Sequence, residues 1–128
     1  MRQLRSVLYV DDEPDIREIV ALALGLDGSL SIRTCESGAA ALEAAMQRLP
    51  DLVLLDVMMP DLDGPATLAR FRAEPTLASV PIVFVTAKTM PSELQRFGAL
   101  GAAGVISKPF DPMRLLEQVR ILWERIHG

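Results

Sequence analysis

The chain has 128 residues, 50% of them apolar and 23% charged, which is enough for one domain with its own core and too little for two. Thirteen basic residues against seventeen acidic ones give a net charge of −4, which excludes a nucleic-acid surface built on bulk charge. One cysteine cannot close an internal disulfide, the first apolar run is too short for a signal segment, and no stretch is long enough to span a bilayer; the expectation is a single cytoplasmic domain over 1–128 that stands on packing.

In chain order, "VLYV" (7–10) comes first, a short continuous apolar run that ends on Asp11, Asp12 and Glu13. Continuous runs of this length signal strands buried on both faces, as in a parallel sheet. A helix over 14–26 follows, with Pro14 in its first turn and Ile16, Ile19, Val20, Ala23 and Leu24 on one stripe. "LSIRT" (30–34) is a weaker strand, and "SGAAALEAAMQRL" (37–49) is an alanine-rich helix opened by a capping Ser37. "LVLL" (52–55) is the next buried strand, and "GPATLARFRAE" (64–74) is a helix begun at a Gly-Pro break. After the strand "IVFV" (82–85), "PSELQRFGAL" (91–100) reads as a short or poorly stable helix because of its late glycines. "GVIS" (104–107) is a weak last strand. The final helix, over 111–126, is capped by Asp111 and carries Leu115, Leu116, Val119, Leu122, Trp123 and Ile126 on one stripe. Five strands alternating with five helices predict an α/β fold with right-handed crossovers and a doubly wound sheet. "GALGAAG" (98–104) is no dinucleotide loop, since its glycines are wrongly spaced and it precedes a strand.

Four strands run into a polar residue: VLYV into Asp11-Asp12, LVLL into Asp56, IVFV into Thr86 and GVIS into Lys108. In open α/β sheets ligands sit beyond the carboxyl ends of the strands, where the strand order reverses. An order that sets the first and third strands side by side would make Asp11, Asp12 and Asp56 converge, and three carboxylates around one small pocket would call for a hard cation such as Mg²⁺. Such an all-oxygen site invites a phosphoryl group, for which an Asp carboxylate can be the nucleophile. Thr86 is then placed to hydrogen-bond one phosphoryl oxygen and Lys108 to neutralise another.

"VDDE", "LLDVMMPDLDG", "VTAK" and "GVISKPF" resemble, in order and spacing over essentially the whole chain, the motifs of bacterial response-regulator receiver domains. The resemblance implies the flavodoxin-like (βα)5 fold with strand order 2-1-3-4-5. It assigns Asp56 as phosphoacceptor, Asp11 and Asp12 with Asp56 as Mg²⁺ ligands, and Met58 as donor of a backbone carbonyl to the metal. Thr86, the Ala87 backbone and Lys108 become the phosphate-binding and switch groups, and Lys108-Pro109 a cis peptide. A histidine kinase or histidine phosphotransfer protein is the implied donor. The implied output is a downstream protein bound on the face of helix 4, strand 5 and helix 5, without direct contact to nucleic acid or membrane; homodimerisation is left open.

Three positions depart from the family pattern: Val105, Met58 and Lys88. The residue three before Lys108 is usually aromatic and swings inward with the switch hydroxyl; here it is Val105. Valine has no hydroxyl and little sweep, so output is expected through the loop after strand 4 and helix 4, or else is weakly coupled to phosphorylation. Met58 and Lys88 flank the family's path for attacking water and are expected to slow hydrolysis. Of the remaining residues, Cys35 reads as a small hydrophobe, Trp123 as packing, and exposed Ile121 as a candidate contact on the output face; His127 has no assigned role. The chain shows no output domain after the last helix, so it reads as a stand-alone regulator or an excised receiver. It promotes its own phosphorylation and dephosphorylation, and no separate substrate turnover is expected. A phosphorylation-independent interaction module and a Mg²⁺-dependent aspartyl-phosphate phosphatase are the competing readings; the second lacks an acid at position 58.

Overall fold

The computed structural model describes residues 2–127. Its elements run β1 (Ser6–Val10), α1 (Pro14–Leu24), β2 (Ser31–Cys35), α2 (Gly38–Gln47), β3 (Leu52–Asp56), α3 (Gly64–Ala73), β4 (Ile82–Thr86), α4 (Pro91–Leu100), β5 (Gly104–Ser107) and α5 (Pro112–His127). The five strands form one parallel sheet in the order β2-β1-β3-β4-β5. Among the described residues no helix is long and apolar enough to cross a membrane.

Each central strand is apolar throughout because alternate side chains enter different cores. Leu8, Val10, Val53, Leu55, Ile82 and Phe84 face one side and pack with Ala41 and Ala45 of α2, Leu68 and Phe71 of α3, and Phe97 of α4. Val7, Tyr9, Leu52, Leu54, Val83 and Val85 face the other and pack with Val20 and Leu24 of α1 and with Leu115, Val119 and Trp123 of α5. Three helices therefore cover one face and two the other. The predicted stripe of α5 is the buried one, with Leu116, Leu122 and Ile126 packed at its margin, and Ile121 is exposed.

Local chemistry sets the helix ends. Ser37 accepts the Ala40 N–H and Asp63 the Ala66 N–H, while Asp111 accepts the Met113 N–H. The first helix stops at Leu24 rather than at 26, and the second strand lies at 31–35 rather than 30–34, with buried Leu30 leading into it. The fourth helix is a regular ten-residue element in spite of Gly98. It is closed by Gly101, whose left-handed φ of 103° lets its N–H return to the carbonyls of Gly98 and Phe97. Its weakness lies in packing: Phe97 is its one buried residue, and its ring meets Phe84 edge-on at 5.1 Å.

Candidate functional site at the carboxyl edge of the sheet

β1 and β3 pair side by side, with Val10 opposite Leu55, so the residues that continue them emerge together at the carboxyl edge. There Asp11, Asp12 and Asp56 each offer a carboxylate oxygen, and the three atoms lie within 4.8 Å of one another. Asp11 and Asp56 are buried while Asp12 is open to solvent. Gly64 brings the following loop back under this edge: its N–H bonds the Val57 carbonyl at 2.9 Å, and a Cβ there would stand 2.7 Å from Val57 Cα. Any side chain at this position would displace the backbone that carries Asp56.

Lys108 joins the acids from β5. Its backbone N–H bonds the Thr86 carbonyl at 2.8 Å, and its peptide bond to Pro109 is cis. Its ammonium donates to Asp11 Oδ2 at 2.8 Å and lies 3.4 Å from Asp56 Oδ1. Burial alone would lower the Lys108 pKa, but the hydrogen bond to Asp11 and the charge of Asp56 outweigh it and raise the value. Asp56 moves the other way from an ordinary acid. Burial and then the charge of Asp11 push its pKa up to about 6, against the opposing pull of Lys108 and the Met58 backbone. Two buried acids sharing one ammonium thus leave a net negative pocket, an all-oxygen set with the chemistry of a hard divalent cation site.

The remaining predicted residues ring this pocket. Thr86, buried at the end of β4, accepts the Lys88 N–H through its hydroxyl at 2.9 Å. Ala87 and Met58 are exposed at the rim, and Lys88 stands beside them. Val105 lies on β5 opposite Phe84, half-buried against the α2–α3–α4 core and apart from the acids.

Two residues at the pocket escape the sequence reading. Tyr9, taken there as an apolar strand residue, is fully buried and its hydroxyl donates to Asp11 Oδ2 at 2.7 Å. Burial and then that hydrogen bond raise the phenol well above its usual range, so it stays a donor. The signal was available, since residues two apart on a strand share a face. Arg17, from α1, donates to the Asp11 carbonyl at 2.8 Å, and no local motif announces it.

Comparison with known proteins agrees in kind. The chain matches the family model described as response regulator receiver domain over residues 7–120. It is 37% identical over 120 residues to response regulator Rre1 of Synechocystis sp., covering 94% of this chain and 52% of that protein. It is 37% identical over 122 residues to the probable transcriptional regulatory protein TcrX of Mycobacterium tuberculosis, covering 94% and 50%. The chain thus spans about half the length of these curated relatives. Among solved structures, Vibrio cholerae chemotaxis response regulator CheY4 superposes with a TM-score of 0.85 at 32% identity, over 94% of this chain and 99% of that one. The receiver domain of NtrX from Brucella abortus gives 0.80 at 32% identity, over 92% and 98%.

Proposed function

Because this chain belongs to the response-regulator receiver domain family, we propose that it is a phosphorylation-controlled signalling module whose phosphoacceptor is Asp56. The observation that carries the reading is the meeting of Asp11, Asp12 and Asp56 within 4.8 Å under the Lys108 ammonium. A receiver is a signalling module rather than an enzyme with a turnover substrate.

Asp11, Asp12, Asp56 and the Met58 carbonyl would hold Mg²⁺, and the buried charge they concentrate fits such a cation. When bound, the ion neutralises charge on the transferring phosphoryl group and its acceptor. Asp56 supplies the nucleophile: one carboxylate oxygen bonds to phosphorus as the phosphorus–nitrogen bond of a phosphohistidine breaks, and that electron pair leaves with the imidazole. Lys108 sits between the acids, where its charge can pass from Asp11 and Asp56 to the phosphoryl oxygens, and the Thr86 hydroxyl and the Ala87 N–H, at the end of β4 and just past it, would hydrogen-bond those oxygens. Positioning and charge neutralisation are most of what such a transfer requires. Hydrolysis reverses the state, water taking the phosphoryl group and restoring the carboxylate.

The donor, a histidine kinase or histidine phosphotransfer protein, has an apolar seat beside the pocket. A cleft of about 280 Å³ is lined by Ile16 and Ile19 of α1, Lys108, Pro109 and Phe110. Exposed Leu22, three residues beyond Ile19 on α1, adds further apolar surface. For output, α4 exposes Leu94 and Leu100 and α5 exposes Ile121, on the two helices that pack on opposite sides of the sheet. Phosphotransfer from candidate histidine kinases to wild type and Asp56→Asn tests the reading: label on the first alone supports it, and equal label on both refutes it.

A further inference from the structure

Tyr9 is a polar side chain at this pocket that phosphoryl transfer leaves without a role. Its ring is wedged between β1 and the α1–α5 layer at 1% exposure, yet its hydroxyl ends on a carboxylate. Asp11 itself is 0% exposed, and four donors surround it. Oδ2 takes the Tyr9 hydroxyl at 2.7 Å and the Lys108 ammonium at 2.8 Å, Oδ1 takes the Glu13 N–H at 3.0 Å, and the carbonyl takes Arg17 at 2.8 Å.

These donors differ in how firmly they hold. The torsion that turns a carboxylate about its stem is broad, so the plane of Asp11 is set by what grips its oxygens. Lys108 reaches Oδ2 on a flexible four-carbon stem and is shared with Asp56 at 3.4 Å. Its charge is the one that a phosphoryl group on Asp56 would draw away. Tyr9 cannot follow, because its ring is locked in the core. We propose that Tyr9 is a positioning residue for the cation site: its hydroxyl fixes the carboxylate plane of Asp11, presents the free edge of Oδ1 to Mg²⁺, and keeps Asp11 in place when Lys108 turns to the phosphoryl group. This rests on the reading of Asp11, Asp12 and Asp56 as the magnesium site.

Loss of a donor also leaves a carboxylate more basic, which by itself would tighten a cation. Orientation outweighs that effect here. Magnesium demands near-octahedral geometry and tolerates misplaced ligands poorly, and groups that orient metal ligands typically contribute 10–100-fold in affinity. Charge is already abundant with Asp56 and Asp12 in the same pocket.

The test is calorimetric titration of MgCl2, at one fixed pH, into unphosphorylated wild type, Tyr9→Phe, Asp11→Asn and the double variant. Tyr9→Phe raises the Mg²⁺ Kd roughly tenfold and adds less than about twofold in the Asp11→Asn background, because the effect passes through Asp11. With acetyl phosphate as donor, the Mg²⁺ concentration for half-maximal phosphorylation of Asp56 rises by the same factor, while saturating Mg²⁺ restores the maximal rate. The Glu13 amide, bonded to Asp11 Oδ1, shifts in the metal-free nuclear magnetic resonance spectrum of Tyr9→Phe; this reads the seat of Asp11 without metal. Removing one hydroxyl keeps the ring that packs the core, and a urea midpoint in EDTA reports whether the fold is intact. A Tyr9→Phe Kd within twofold of wild type or tighter, an unmoved Glu13 amide, or an equal loss in the Asp11→Asn background overturns the role of Tyr9 alone. Absence of Mg²⁺ binding by wild type overturns the magnesium reading and this proposal together.

Discussion

Asp56 is an acid kept where its charge is costly. The buried carboxylate stands beside Asp11, and its pKa is raised from 3.8 to about 6. Between those values the folded chain binds more protons than the unfolded one, so stability falls as pH rises through this window and levels off above it. The native site thus stores an unfavourable term at neutral pH, on the order of 1–3 kcal/mol. Asp56→Asn removes it. In EDTA the variant should match wild type near pH 4 and exceed it at neutral pH, as read by urea unfolding at a series of pH values. Parallel pH profiles for the two proteins would contradict this. Mg²⁺ should narrow the gap at neutral pH by stabilising wild type more than a variant that lacks one of the carboxylates, since binding only the folded state adds stability. Met58 and Lys88, both exposed at the rim, bear on the reverse reaction. A thioether there gives no hydrogen bond to orient an attacking water, whereas an amide does. Met58→Asn should therefore shorten the phosphoryl half-life several-fold, and an unchanged half-life would remove the idea.

At the scale of elements, a signal passing from the site to α4 would have one large anchor, Phe97. Phe84, Phe97 and Val105 occupy one core, and Thr86 follows Phe84 at the same parity of β4. Val105 is too small to sweep through that space. Phe97 is instead the large side chain reaching into it, and it is the one buried residue of α4. The coupling between Thr86 and the output face is thus expected to run through the seat of α4 on β4. Phe97→Ala should cost roughly 3–5 kcal/mol and strip hydrogen-exchange protection from α4 amides before those of α5. Equal loss of protection in both helices would show that α4 is held by something else. The bounds of this helix, Pro91–Leu100, are those that the sequence suggested. The glycines near residue 100 suggested a weak helix, because propensity counts Gly98 as a cost and overlooks Gly101 as a cap. β1, β3 and β4, by contrast, were legible from continuous apolar runs, and their carboxyl ends, with that of β5, match the sequence reading to within a residue.

At the scale of the molecule, the sheet order β2-β1-β3-β4-β5 turns scattered sequence into one pocket. Periodicity alone did not supply that order, which came with the resemblance. The convergence of the three acids with Lys108 was legible because each ends a strand or lies within two residues of its end, as does Thr86. Tyr9 and Arg17 were not, because their roles depend on which core a strand face meets and on how α1 crosses the sheet edge. The apolar cleft was equally hidden, being assembled from α1 and the β5–α5 loop, far apart in sequence. As the proposed donor seat, it makes docking separable from chemistry at α1, away from Lys108. Ile19→Asp should slow transfer from a phosphohistidine protein at least tenfold, a loss of about 1.4 kcal/mol, while leaving the rate with acetyl phosphate near wild type. Equal slowing with both donors would mean that the substitution had disturbed the site itself.

The trio of acids, filled by a divalent cation, is proposed to make Asp56 the carrier of the signal. Intact-mass measurement after incubation with acetyl phosphate, followed by borohydride trapping and peptide mapping, tests it most directly. The account predicts one phosphoryl group per chain, mapped to Asp56, present with Mg²⁺ and absent with EDTA or in Asp56→Asn. A phosphoryl group on any other residue, or one that forms as readily without divalent metal, would contradict it.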